Sequence, residues 1–233
     1  MRKADLGSIL ADFESQLEEQ SDFYDETWSA LPDPTHRRIS AENYALTIGV
    51  MFEGFVNDLI FSYANRDCSR VMEHLQASLT EHLRTNSKAK ATFEHFAEMK
   101  ERKHLSMDEL RKILDPEGRN TSFSDYAAIE KRAKQWLANG HRRRFQSLSA
   151  ELKVIVDVVI AVRNNLAHRS KSSLDRLNCV LQSDVLEGTG LQRNVNRVRQ
   201  TGIYLKTTPE AGTTRADLLG ERLGDVARHL AGA

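Results

Sequence analysis

Cysteine is scarce in this chain of 233 residues: Cys68 and Cys179 are the only two. They lie far apart, with no CxxC or Cys/His spacing. That excludes a disulfide framework and a zinc-finger pattern, and it predicts free thiols in a reducing compartment. Proline is also scarce, with four residues in all, so little interrupts helical runs. Long apolar runs are missing. The longest, "VIVDVVIAV" at 154–162, carries Asp157 and is too short to cross a bilayer. The opening "MRKADLGSIL" has two basic residues but no apolar core before acids begin, so no signal peptide is expected. A net charge of zero argues against a chain that coats nucleic acid. These absences predict a soluble cytoplasmic protein with no membrane association.

The content is 40% hydrophobic and 28% charged, which suffices for a real core in a soluble domain. Charge is unevenly spread. Residues 1–35 are acidic, while 84–144 and 163–206 are basic. Apolar residues recur at helical spacing: Leu6, Leu10, Phe13, Leu17, Tyr24 and Leu31 mark one amphipathic helix, which "LPDPTHRR" ends. Ser40 is the expected N-cap of a second helix, with Tyr44, Ile48, Met51, Phe55 and Leu59 on its buried face. "YANRDCS" reads as a break before a third helix. Residues 84–121 read as a basic insertion holding one short helix, "SMDELRKIL", with Ser106 and Glu109 as a capping box. Helices are then expected over 124–138 and 145–169, followed by continued helical spacing through Leu181. The stretch 187–212 holds four of the twelve glycines and short β-like pieces, predicting a hairpin or loose arm. Thr213 or Thr214 caps a last helix. The predicted class is all-α: an up-and-down helical bundle over 1–182, its core at 40–182. A C-terminal extension, 183–233, packs on the same domain.

The chemistry concentrates in "AVRNNLAHRS", residues 161–170, where the apolar helix stops in polar side chains rather than in glycine or proline. At about 100° per residue, Asp157, Ala161, Asn164 and His168 share one stripe. Asn164 and His168 stand four apart, so the amide can orient the imidazole. Arg163 and His168 sit about 140° apart around the axis and can flank one groove from two edges. An arginine, a histidine and an amide suit phosphodiester chemistry. The guanidinium holds a phosphate oxygen and the imidazole moves a proton near neutral pH. With RNA the ribose 2′-OH is the nucleophile, so no metal or other cofactor is needed. The Arg-x4-His spacing alone is expected by chance roughly 0.8 times in such a chain, but with Asn directly after Arg only roughly 0.04 times. A polar helix end that only caps and packs is the competing account.

"RNNLAH" at the end of a long apolar helix resembles the motif of the HEPN superfamily of all-helical domains: Arg, four to six residues, then His, often with Asn after the Arg. The resemblance spans 40–182 loosely and 159–170 specifically. It implies a helical bundle, a homodimer with the motif at its interface, and metal-independent endoribonuclease activity, often in toxins or anti-phage defence. Arg163 and His168 match the catalytic pair, and Asn164 the polar position beside the Arg. RNA is the implied substrate, and an antitoxin or defence-system protein the implied partner.

Around this core, Asn165 and Arg169 are candidate RNA contacts. So are Arg142, Arg143 and Arg144 in "GHRRRF", a basic cluster read as a phosphate clamp near the cleft or as a solvated turn. No His pair, His74 and His82 included, has metal-site spacing. Asp157 is expected to be structural, either capping a neighbouring helix or meeting an arginine across a dimer. A non-catalytic helical adaptor, binding RNA or a partner protein, is the alternative function.

Overall fold

The computed structural model describes residues 4–96, 104–118, 122–209 and 212–233. These form eleven α-helices and one short 3-10 helix, and among the described residues there is no strand. The helices are α1 (Leu6–Ala30), α2 (Pro34–Arg66), α3 (Ser69–Thr85), α4 (Ser87–Phe96), α5 (Met107–Leu114), α6 (Tyr126–Trp136), α7 (Asn139–Gln146), α8 (Ala150–His168), α9 (Lys171–Val180), α10 (Thr201–Leu205) and α11 (Arg215–Ala231).

Four of them make the core. α1 and α2 run antiparallel. The Ala4 N–H donates to Asn65 at one end, and Tyr24 stacks on Tyr44 at 4.6 Å at the other. α8 runs antiparallel to α2, with Arg163 opposite Glu53 and, on the preceding α7, Arg144 opposite Tyr63. α11 runs parallel to α2, from Thr214 beside Tyr24 to Leu230 beside the Tyr63 hydroxyl. Direction therefore alternates around the ring α1, α2, α8, α11, as in an up-and-down bundle. The packed faces bury Phe13, Ile48, Phe52, Leu59, Val156, Val159, Leu223 and Val226 almost completely.

α2 is long and apolar enough to span a bilayer by length and composition, but 61% of its most apolar window is buried inside the protein. α1, α8, α10, α11 and α5 all pack against it. Its apolar residues are interleaved with Asn, Ser, Thr and Gly, which is why no unbroken apolar run announces it.

Local rules explain most element ends, and the departures have physical reasons. α2 starts at Pro34 rather than after Ser40. Asp33 caps it by accepting from the Thr35 N–H, and a proline at the first helical position loses nothing by lacking an N–H. α5 has the expected capping box, Ser106 with Glu109, and buries Leu110 fully against α2. The segment expected as an insertion is therefore tied into the core, while residues 97–103 and 119–121 of it lie outside the described residues.

The helix expected over 145–169 is two helices. α7 ends at Gln146, and Ser149 caps α8 by accepting from the Leu152 N–H. The stretch expected as a hairpin or arm is folded onto the bundle without strands. Asn178 both donates to the Val198 carbonyl and accepts its N–H, and Leu191 and Leu205 are fully buried. Thr214 caps α11 through a capping box with Asp217.

Candidate functional site

α8 brings the motif to the end of the bundle. Its C-terminal turn stops through Arg169, which sits in the left-handed region at φ 49°, while its N–H closes on the Asn165 carbonyl. Glycine is the usual residue in that conformation, and a side chain there costs about 1 kcal/mol. The chain turns at once into α9, capped by Ser170, so α9 folds back along α8.

One groove of about 710 Å³ lies along this corner. Arg163, Asn164 and His168 line it from α8, Arg176 from α9, and Phe123 and Ser124 from the segment before α6. Ala161 lies in the same wall, so the predicted stripe of Ala161, Asn164 and His168 is the face that α8 turns to the groove. Among the described residues no carboxylate lines it. Arg163 and His168 thus flank a single groove within one protomer.

The two side chains differ in mobility. Arg163 is largely buried and held. Its Nη2 donates to Glu53 at 2.5 Å and its Nη1 to the Asn164 amide oxygen at 2.7 Å. Glu53 also accepts from the Phe123 N–H at 3.1 Å, so one carboxylate positions both the guanidinium and the opposite wall. Gly49 makes the approach possible, because a Cβ there would lie 3.0 Å from the Arg163 Cβ. Two of the five guanidinium N–H groups are engaged by these contacts, and the other three have no partner among the described residues.

His168 is exposed at the rim and makes no hydrogen bond among the described residues. Asn164 orients the arginine and not the histidine, contrary to the expectation from their four-residue spacing.

Other expected contacts lie elsewhere. Asn165 is buried and joins three helices: its amide donates to Ser173 on α9, and its oxygen accepts from Thr201 on α10. Arg169 points away from the groove and reaches Glu42 at 3.2 Å. The "GHRRRF" cluster is on α7, at the far end of α8, which at 1.5 Å per residue is about 28 Å long. Arg144 there is structural. It donates to the Tyr63 hydroxyl at 2.7 Å and to the Ala231 carbonyl at the end of α11. Arg142 is half-buried with its Nε unpaired, and only Arg143 is exposed. No clamp near the cleft is formed by these three.

Asp157 helps cap α6 beside its N-cap Asp125, its Oδ1 accepting the Tyr126 N–H at 2.6 Å, which is the first of the two structural roles expected for it. Burial pushes its carboxyl above the ordinary range, opposed by that hydrogen bond.

Sequence reading missed Glu53 and Arg176. Glu53 had one signal, an acid beside the buried stripe of Met51 and Phe55. Arg176, 3.7 Å from Asp125, had none. Among the described residues no three His, Cys, Asp or Glu side chains gather as a metal site. No family model matches the chain, and no curated protein or solved structure matches it either.

Proposed function

We propose that the chain is a metal-independent endoribonuclease of the HEPN type, working as a toxin or anti-phage effector, with Arg163 and His168 as its catalytic pair. The observation that carries this reading is the shared groove. A held arginine and a free, exposed imidazole line the same groove, and the nearest carboxylates, Glu53 and Asp125, are each paired with an arginine of its wall. Arg176 adds a second cation to the wall.

In this site the RNA 2′-oxygen attacks the adjacent phosphorus. The 2′-O–P bond forms, the P–O5′ bond breaks, and the products are a 2′,3′-cyclic phosphate and a 5′-hydroxyl. Arg163 stabilises the charge that builds on the non-bridging oxygens, a role that preorganisation by Glu53 favours. His168 moves one of the two protons, from the 2′-OH or to the leaving 5′-oxygen, and solvent water exchanges the other. A second copy across a twofold axis would set another imidazole against the open rim, so the working form is a homodimer. Restraint in the cell then falls to an antitoxin or a defence-system partner.

One observation favours a second reading, a non-catalytic adaptor: the arginine already has a carboxylate partner, as a purely structural residue would. The two separate on one test. The purified protein is incubated with total RNA in EDTA and the product ends are mapped. Cyclic or 3′-phosphate ends, lost in His168→Ala, support the nuclease. Intact RNA, or cleavage only when a divalent metal is restored, overturns it.

A further inference from the structure

Ser170 stands on the rim of two grooves. The second, about 630 Å³, lies on the other flank of the α8–α9 corner, where among the described residues Arg38, Arg169, Lys171 and Arg199 share the lining with a single carboxylate, Glu42. Glu42 is largely buried and holds Arg38 at 2.6 Å and Arg169 at 3.2 Å. Lys171 and Arg199 are exposed, and among the described residues neither has an acidic partner. Four cations against one anion leave the groove strongly positive in a chain whose net charge is zero. Arg169 keeps its side chain there although it occupies a left-handed backbone position that glycine would adopt without strain. Arg199 also lines a third groove beside Arg197, which is itself paired with Asp175.

We propose that this second groove is the track for the RNA strand beyond the cut. The phosphates next to the scissile one pass over Ser170 and seat on Lys171, Arg199 and the outward N–H groups of Arg169. The ligand is single-stranded RNA, because in-line attack by a 2′-OH needs a backbone free to leave A-form geometry. Recognition is through phosphates, so it tolerates sequence. The proposal rests on the ribonuclease reading of the first groove, and its test is separable from that reading.

Binding is measured in the His168→Ala background with a labelled 12-nucleotide single strand and with a tetranucleotide too short to leave the first groove. Lys171→Ala/Arg199→Ala should weaken the 12-mer about tenfold at low salt and flatten its log affinity–log salt slope by about 1.4, two contacts at about 0.7 each. The tetranucleotide should be unaffected. Both residues are exposed, and an unchanged thermal melt checks the fold. Arg84→Ala/Lys88→Ala, on α3 and α4, removes the same charge elsewhere and should change nothing. No loss on the 12-mer, or an equal loss in that control, overturns the track. A duplex of the same sequence bound as tightly overturns the single-strand assignment. If the wild-type protein cuts no RNA but the double variant still loses the 12-mer, the nuclease reading falls while the track stands. If the wild type cuts and the double variant binds normally, only the track falls.

Discussion

Arg163 and Glu53 meet at 2.5 Å between two antiparallel helices, at the level where Gly49 lets α8 approach α2. Both side chains are mostly buried, so the pair is costly to break and fixes the guanidinium at the groove wall. Arginine at the end of an exposed helix would swing. Here its direction is set before any substrate arrives.

Glu53 should therefore act as a positioning residue. Glu53→Gln keeps an oxygen for the Phe123 N–H but removes the charge facing Arg163. Turnover should fall by about 10–10² with little change in KM, because a slight misplacement of the clamp is felt in the transition state. Stability should drop by about 1–3 kcal/mol. Steady-state kinetics beside a thermal melt decide. Unchanged kcat in a folded variant would show that the pair is only structural.

The motif residues should separate by role. His168→Ala should cost roughly 10²–10⁴ in cleavage rate, and Arg163→Ala about 10²–10³. The double variant should be far from additive, since both serve one transition state. Asn164→Ala should slow cleavage less and should act through Arg163, to which its amide is bonded. Hence Asn164→Ala on top of Arg163→Ala should add almost nothing. A full independent loss from Asn164→Ala would assign that amide to the substrate.

Within the basic cluster, Arg144 and Arg143 should behave differently. Arg144 bonds the Tyr63 hydroxyl and the carbonyl of Ala231, so Arg144→Ala leaves a buried acceptor and the end of α11 without a donor. About 1–3 kcal/mol of stability should be lost, with cleavage per folded molecule intact. Arg143→Ala should be near neutral in both. Chemical denaturation and RNA-binding titrations measure the two effects. Weaker RNA binding by a fully folded Arg144→Ala protein would return the cluster to the substrate path.

Asp157 sets a pH signature. Burial holds its folded-state pKa above the ordinary 3.8. A carboxyl with a raised folded pKa favours the fold below the unfolded value, and that contribution is lost as pH rises through the folded one. At neutral pH its charge is thus a net cost. Asp157→Asn retains an oxygen for the Tyr126 N–H and should be more stable than wild type at pH 7, the gap closing as pH falls to about 4 and below. Denaturation midpoints across that range test it. A less stable Asn variant at pH 7 would mean that the charge favours the α6 N-terminus by more than burial opposes it.

Rules that act within one or two turns could be read from the sequence. The capping boxes at Ser106 and Thr214, the end of α1 before Pro32 and the stripe of Ala161, Asn164 and His168 all follow from residues at most seven apart. So did the all-helical class, apart from the β-like stretch, which is held by buried leucines and by Asn178 instead of by a ladder. Spacing also showed that Arg163 and His168 could share one groove. It could not show which groove, because the walls come from α9 and from the segment before α6.

Partner choice lay beyond it as well. Glu53 is 110 residues from Arg163, and Arg144 is 87 from Ala231. No local periodicity encodes such pairs. They form only when antiparallel helices settle into register, with Gly49 deciding how closely α8 can lie. Where Pro34 could open a helix as well as end one, and where Ser147 to Ser149 could divide α7 from α8, local propensity was balanced. The packing of α7 on α11 and of α8 on α2 decided which ends formed.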